Sequence, residues 1–288
     1  MKRNNILITV DLEDWFQVEN FKNSIPFSEW DAKELRFENN TRRLLEIFEE
    51  CNIKATFFVL AWNAERVPEL VRDIYNLGHE IASHGYNHHL CSDTTIEDLR
   101  QDLQKSKSVL EEIIGSPVLG YRAPSFSITG QAISLLKEIG YTYDSSYNNF
   151  GLNHRHGSLD LSQYRKKSFA YKDPQGFWEL PISNLTIGKM TFPWGGGGYF
   201  RLLNRTLFRI GVQRILKKER GYMFYIHPWE IDPNQPLVSD AGFFFRFRHY
   251  LNLGKCESKL SSFIESFQDC SFLTCSQYLK SLDNIQKP

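Results

Sequence analysis

The sequence predicts an α/β fold built on a parallel β-sheet, either a barrel or a doubly wound sheet. Short apolar runs rich in β-branched residues alternate at least five times with amphipathic helical patterns, which is typical of successive βα units. Acidic residues and histidines directly follow several of the apolar runs. Because the carboxyl ends of parallel strands share one edge of a sheet, we expect these polar residues to meet there.

The pattern of apolar residues places most elements along the chain. The predicted strands are 5–10, 54–62, 79–84, 117–124, 141–146, 177–183, 221–231 and 271–279. The predicted helices are 39–53, 65–78, 94–115, 129–140, 202–220 and 257–268. Helix limits rest on apolar spacing, on possible capping residues such as Asn40 or Thr41 and on terminal glycines such as Gly78.

Length and composition indicate one globular domain. The chain has 288 residues, of which 41% are apolar and 24% charged, both ordinary for a folded soluble protein. Lysine plus arginine and aspartate plus glutamate number 34 each, so no overall charge favours nucleic acid, and we predict no such partner. We expect a single domain over 1–288, with a motif-bearing core at 5–235 and a C-terminal extension at 236–288.

Targeting signals and cysteine usage indicate the cellular compartment. The N-terminal stretch has too few apolar residues for a signal peptide, and the chain has no 18-residue apolar run. Five scattered cysteines without a CxxC pair favour free thiols over a disulfide framework or a zinc knuckle. These features predict a cytoplasmic protein. The oligomeric state stays open.

Two histidines and nearby acids form a candidate metal site. His84 and His88 lie four positions apart after the third strand, and Asp11, Glu13 and Asp14 follow the first. Such histidine pairs also arise by chance or in surface loops. Two imidazoles and one carboxylate, however, suit Zn²⁺ or another first-row divalent ion and leave a position for water or substrate.

Further candidate residues follow later strands. Arg122 could hold Asp11 ionised, although it could also be an ordinary surface arginine. Trp178 and His227 could equally pack in the core. The glycine run at 195–198 lacks the spacing of a nucleotide-binding loop and suggests a cleft wall instead. The run FFFRFRH (243–249) leaves a peripheral membrane contact open, although internal packing is the preferred interpretation.

The motifs TVDLEDW, HGYNH, RAPS, ELP and IHPWE, in this order, resemble the polysaccharide deacetylase family, also called the NodB-homology family or carbohydrate esterase family 4. VDLEDWFQV, GGGGYFRLL and HPWEID are similar to the subgroup associated with exopolysaccharide and O-antigen gene clusters. The resemblance spans roughly residues 5 to 235. It implies a distorted (β/α) barrel of about seven strands with a metal at its C-terminal mouth, followed by irregular C-terminal additions.

The resemblance also implies roles for individual residues. Asp11 corresponds to the general base, His227 to the general acid and Arg122 to the residue that orients the base. His84 and His88 correspond to metal ligands. The residues expected beside the substrate are Glu13, Tyr121, Pro124, Trp178 and Trp229.

The sequence offers two candidates, Glu13 and Asp14, for the acidic metal ligand, because it departs from the two adjacent aspartates of the family motif. Here Leu12 and Glu13 separate Asp11 from Asp14. Strand alternation places Glu13 on the same side as Asp11, but strand ends bend, and we predict the shorter Asp14 as the ligand.

The implied function is hydrolysis of the N-acyl amide of an amino sugar, in a polysaccharide or in a lipid-linked or nucleotide-linked precursor. The expected cofactor is Zn²⁺, with Co²⁺, Ni²⁺ or Fe²⁺ as alternatives. Two other functions stay open. One is a catalytically inactive relative that binds carbohydrate through its aromatic residues, and the other is a metal-dependent hydrolase of another small amide.

Overall fold

A computed structural model describes residues 3–150 and 157–284. Within these ranges the strands are β1 (Asn5–Leu12), β2 (Thr56–Val59), β3 (Glu80–Ser83), β4 (Gly120–Tyr121), β5 (Tyr143–Asp144), β6 (Arg165–Lys167), β7 (Ala170–Lys172), β8 (Trp178–Glu179), β9 (Asn184–Ile187), β10 (Met190–Pro193), β11 (Gly221–Ile226) and β12 (Ser271–Phe272). The α-helices are α1 (Phe37–Glu50), α2 (Ala61–Arg66), α3 (Pro68–Asn76), α4 (Ile96–Ile114), α5 (Gly130–Ile139), α6 (Gly197–Leu202), α7 (Arg205–Glu219), α8 (Phe243–Tyr250), α9 (Leu253–Glu265) and α10 (Cys275–Asn284).

The main sheet contains a run of parallel strands in the order β11-β1-β2-β3-β4-β5-β8. Strands β7 and β6 continue it in antiparallel orientation, and β12 pairs with β1. This continuous run of seven parallel strands in the described ranges confirms the predicted distorted (β/α) barrel. Strand β1 is central, since it pairs with β11 over six residues and with β2 over four.

Side chains of β1 alternate between the helical layer and the interior of the sheet. Ile6, Ile8 and Val10 belong to the apolar cluster that includes residues of the surrounding helices, whereas Leu7 belongs to the interior cluster. Since strand side chains alternate with a period of two, Thr9 and Asp11 share the side of Leu7. The interior therefore becomes polar towards the carboxyl ends of the strands.

Loop residues fill the space between β8 and β11, which do not pair with each other. The backbone N–H of Met223 donates to Ser183 Oγ at 2.9 Å, and that of Tyr225 donates to the carbonyl of Gly195 at 2.7 Å. Gly196 has φ +140°, and a Cβ there would lie 2.0 Å from the carbonyl oxygen of Tyr225. Only glycine allows this close approach.

Capping residues explain the limits of the predicted helices. Thr95 Oγ1 accepts the backbone N–H of Asp98 at the start of α4, and Gly115 ends the helix in the left-handed conformation. Thr129 and Gly140 do the same for α5. These are the residues that cap helices most readily.

Two predictions about the C-terminal part are wrong. The stretch 271–279 forms only the short strand β12 before α10 begins, because Cys275, Tyr278 and Leu279 bury one helical face. The stretch 243–249 forms α8, whose phenylalanines are exposed instead of packing inside. None of the helices in the described ranges has the length and hydropathy needed to cross a bilayer.

Candidate active site

The inward positions of several strands lead to one cluster at their carboxyl ends. On β1 the inward series runs through Leu7 and Asp11 to Glu13, and on β3 it runs through Ala82 to His84. On β11 it runs through Met223 to His227. Because each series continues the alternation of a buried strand, the functional groups point towards the same mouth of the sheet.

Glu13, His84 and His88 form a compact group of possible metal ligands. Glu13 Oε1 lies 3.0 Å from Nε2 of His84 and 3.0 Å from Nε2 of His88. All three side chains are buried, and theirs is the metal-compatible group found in the described residues. Burial would raise the pKa of Glu13, but the neighbouring histidines outweigh this effect and hold that pKa well below its usual value.

The donor set fits a small divalent ion. Atoms about 2.0–2.1 Å from a tetrahedral Zn²⁺ lie roughly 3.3 Å from one another, close to the two 3.0 Å separations. His84 Nδ1 donates to the carbonyl of Arg122 at 2.7 Å, which leaves Nε2 to face Glu13. Such a hydrogen bond commonly selects the tautomer of a ligating histidine.

The structure corrects the predicted ligand Asp14. Its carboxylate accepts the backbone N–H groups of Trp15 at 2.8 Å, Arg36 at 2.7 Å and Phe37 at 3.1 Å. Arg36 and Phe37 begin α1, so Asp14 satisfies free N–H groups at a helix N-terminus. The strand alternation continues beyond β1 and brings Glu13, which was predicted to contact substrate, to the histidines instead.

Asp11 is held by a fully buried arginine. Arg122 Nη1 lies 2.6 Å from Asp11 Oδ1, and the same guanidinium donates to the hydroxyl of Thr9 and to the carbonyl and hydroxyl of Ser145. The alternative of a surface arginine is excluded, since Arg122 has no exposed area. A buried, multiply bonded guanidinium fixes the direction of the carboxylate.

His227 faces the two acids from β11. Its Nε2 lies 3.9 Å from Asp11 Oδ2 and 3.9 Å from Glu13 Oε1. Its Nδ1 bonds Glu230 Oε1 at 2.8 Å. Burial would lower the pKa of His227, but Glu13, Glu230 and Asp11 together raise it to about 9.

Sequence reasoning missed the supports behind His227. Glu230 Oε2 pairs with Arg201 Nε at 2.7 Å, and both residues are buried. Burial would raise the pKa of Glu230, but Arg201 and His227 lower it to about 2. Glu230 ends the IHPWE motif and Arg201 lies within GGGGYFRLL, but the motifs do not indicate that the two side chains meet.

A cavity of about 140 Å³ opens over this cluster. The predicted residues that line it are Asp11, Glu13, His88, His227 and Trp229. Gly197, Gly198 and the unpredicted His249 also line it. Trp229 stacks on His249 with ring centroids 4.1 Å apart, so the predicted wall of glycine and tryptophan does border the cavity.

Three residues predicted beside the substrate lie elsewhere. Tyr121 is buried in the helical layer, where its hydroxyl contacts Cys91 Sγ. Trp178 belongs to the interior cluster with Phe169, and Pro124 is buried at the start of a 3-10 turn. None of the three lines the cavity, because their motifs lie near strand ends without pointing into the mouth.

Comparisons with known proteins agree with this geometry. Residues 26–143 match the family model "Polysaccharide deacetylase", and residues 145–280 match a "Domain of unknown function (DUF3473)". Over 101 residues the chain is 32% identical to a peptidoglycan-N-acetylglucosamine deacetylase of Bacillus cereus. The aligned residues make up 35% of this chain and 47% of that protein. The chain spans 31%, 47% and 36% of the first three curated relatives.

Solved structures show the same fold over nearly the whole chain. A Mycobacterium smegmatis protein provisionally described as a polysaccharide deacetylase aligns with TM-score 0.63 and 21% identity, covering 99% of this chain and 91% of that one. A Pseudomonas aeruginosa protein with a similar provisional description aligns with TM-score 0.61 and 16% identity, covering 98% and 91%. The likeness therefore includes the part beyond residue 143.

Proposed function

We propose that the chain is a metal-dependent deacetylase that hydrolyses the N-acyl amide of an amino sugar, since residues 26–143 match the polysaccharide deacetylase family model. One observation carries the proposal. One cavity is lined by Asp11, Glu13, His88 and His227. Arg122 contacts Asp11, and His84 completes the possible metal group with Glu13 and His88.

The metal proposed for Glu13, His84 and His88 is Zn²⁺, with Co²⁺, Ni²⁺ and Fe²⁺ as alternatives. When bound, such an ion polarises the amide carbonyl and lowers the pKa of a bound water from about 15.7 towards about 7. The single carboxylate and two imidazoles leave room for that water and for substrate.

Asp11 would act as the general base and accept a proton from the attacking water. Arg122 fixes the direction of this carboxylate, because the guanidinium is itself anchored by hydrogen bonds to Thr9 and Ser145. His227 would donate a proton to the departing amine. The carboxylate of Glu230, 2.8 Å from Nδ1 of His227, favours the protonated imidazole that a general acid requires.

Asp11→Asn and His227→Ala should each lower the deacetylation rate on the order of 10²–10⁴-fold, since each removes one proton-transfer group. Release of free amine from N-acetylated oligosaccharides measures this rate. Asp93→Asn and His89→Ala are matched controls, because both residues lie outside the cavity over the metal group. Near-wild-type rates in both test variants would refute the assigned roles.

The same assay distinguishes the other functions. Free, nucleotide-linked and lipid-linked N-acetyl sugars would be compared at equal concentration, together with small amides that contain no sugar. Stoichiometric metal without turnover of any sugar would favour an inactive carbohydrate-binding protein. Turnover of the small amides alone would favour a different metal-dependent hydrolase.

A further inference from the structure

Helix α8 presents phenylalanines to solvent beside the candidate active site. Phe243, Phe244 and Phe247 are 72%, 83% and 55% exposed. Together with Arg248 they form the outward side of the helix, called here the α8 face. We propose that the α8 face docks on an anionic lipid surface and that the substrate is an amino sugar carried on a lipid.

The orientation of α8 is the reverse of that in an ordinary surface helix, whose apolar stripe faces the core. His249, on the other side, is buried and stacks on Trp229, and it bonds the side-chain oxygen of Gln235 at 2.6 Å. The polar imidazole thus anchors the helix while the apolar rings point outward. Leu237, in the preceding loop, is also 63% exposed.

The charges around these rings match an anionic lipid. Arg246 and Arg248 form no ion pair with any residue of the described ranges. Arg246 donates to the carbonyl of Ser239, and Arg248 lies near the ring of Tyr199. Their two positive charges are therefore available for phosphate groups. Aromatic residues combined with arginine are typical of helices that lie in the membrane interface.

The size of the α8 face argues against a second copy of the chain as its occupant. A stable protein interface buries about 800 Å² per partner and involves about 20–30 residues on each side. The α8 face and Leu237 amount to a few side chains on a helix of eight residues. A membrane interface needs no complementary surface and can accept such a short apolar element.

Helix α8 is connected to the cavity through Arg201. The guanidinium of Arg201 donates to the carbonyls of Arg248, His249 and Leu251 at the end of α8, and it also pairs with Glu230 behind His227. Arg248 and His249 line the cavity itself. Docking of the α8 face would therefore hold the cavity mouth at the lipid surface. The assignment of a lipid-carried amino sugar rests on the proposed deacetylase function, whereas the docking does not.

Sedimentation of the full chain with lipid vesicles tests the docking. Vesicles of phosphatidylcholine would be compared with vesicles that also contain 30 mol% phosphatidylglycerol, a composition of about one anionic lipid in three. We expect binding to the anionic vesicles that weakens as salt is raised, since screening reduces the contribution of the arginines. The double variant Phe244→Gln/Phe247→Gln should lower the bound fraction at least tenfold.

Ile96→Gln is the matched control, because Ile96 is an exposed apolar residue in the first turn of α4. Equal vesicle binding by the wild type and the double variant, or no binding by either, would overturn the docking. Vesicle binding that depends neither on the fraction of anionic lipid nor on the salt concentration would also overturn it. Sedimentation equilibrium without lipid tests a second copy of the chain as the occupant. A wild type that is dimeric and does not bind vesicles, together with a monomeric double variant, would also overturn the docking.

Deacetylation assays separate this inference from the proposed function. The double variant should keep wild-type rates on a soluble N-acetylated oligosaccharide but lose at least tenfold on a lipid-linked N-acetyl sugar presented in anionic vesicles. Equal loss on both substrates would refute the role of docking in substrate choice. If the wild type deacetylates neither substrate, the proposed function fails, while the sedimentation experiment still decides the docking.

Discussion

At the scale of single residues, the adjacent acids Glu13 and Asp14 have different partners. Glu13 continues the inward alternation of β1 and lies 3.0 Å from both histidines. Asp14 points the other way and accepts N–H groups at the start of α1. Both side chains are carboxylates, so their different partners follow from the opposite directions in which they point.

Glu13→Gln and Asp14→Asn should separate metal binding from folding. We expect Glu13→Gln to lower bound zinc well below one ion per chain, because the carboxylate ligand becomes a neutral amide. Asp14→Asn should keep wild-type zinc and lower the free energy of unfolding by about 1–2 kcal/mol, the usual contribution of a helix cap. Elemental analysis and urea unfolding measure the two effects, and loss of zinc in Asp14→Asn alone would contradict the assignment.

At the scale of elements, a buried ion pair joins the turn after β11 to helix α6. Arg201, on α6, pairs with Glu230, which in turn bonds His227. A buried charge that loses its partner destabilises a protein strongly. The pair therefore fixes His227, the proposed general acid, and links its position to the ends of α6 and α8.

Glu230→Gln should change how stability depends on pH. The pKa of Glu230 is about 2 in the folded state against about 4.3 in an unfolded chain. Its contribution is therefore complete above about pH 4.3 and is lost as the pH falls towards 2. We expect the wild type to exceed the variant by on the order of 3 kcal/mol at pH 6, and this difference should shrink steadily between pH 4.3 and pH 2.

Urea unfolding across this pH range measures the difference. Glu257→Gln is the control, since Glu257 pairs with Arg43 at the surface and such pairs contribute little. A Glu230→Gln difference that stayed constant down to pH 2 would show that the folded-state pKa is not depressed.

At the scale of the whole molecule, the sheet joins the two segments recognised by separate family models. Strand β5, at the end of the first segment, pairs with β8 of the second. Strand β1, which precedes both segments, pairs with β2 of the first over four residues and with β11 of the second over six. The interior cluster combines Leu7 and Phe58 with Met223 and Tyr278. The boundary between the two matches, at residues 143–145, is therefore not a boundary between independent cores, in line with the single domain that we predicted.

A fragment of residues 1–144 should not fold by itself. It lacks β11, β12 and the interior side chains that follow them, so β1 would expose an apolar edge. We expect no cooperative thermal transition by circular dichroism, and recovery of the fold when residues 145–288 are co-expressed. A fragment that melts cooperatively alone would show that the N-terminal half is a separate domain.

Removal of the metal should lower the melting temperature without unfolding the chain. The proposed ligands follow β1 and β3, two strands that the apolar clusters already hold in place. A bound ion stabilises only by mass action, about 2.7 kcal/mol at a free concentration 100 times Kd. Calorimetry with and without chelator measures the shift, and Glu13→Gln, as the control, should show none.

Local patterns in the sequence were sufficient to predict much of the fold. Its alternating patterns predicted the βα units and the limits of α4 and α5, because apolar spacing and capping are local properties. The ordered motifs also located Asp11, His84, His88, Arg122 and His227, since strand ends in a parallel sheet share one edge.

Which side chains point into the mouth depends on the tertiary structure. The acid beside the histidines is Glu13 and not the predicted Asp14. The cavity is lined by Arg201, Glu230 and His249, which were not predicted, and not by Tyr121, Pro124 or Trp178. The phenylalanines of α8, which we had expected inside, are exposed. The physical reason is that the direction of a side chain and its distant partners depend on long-range packing, which local pattern does not specify.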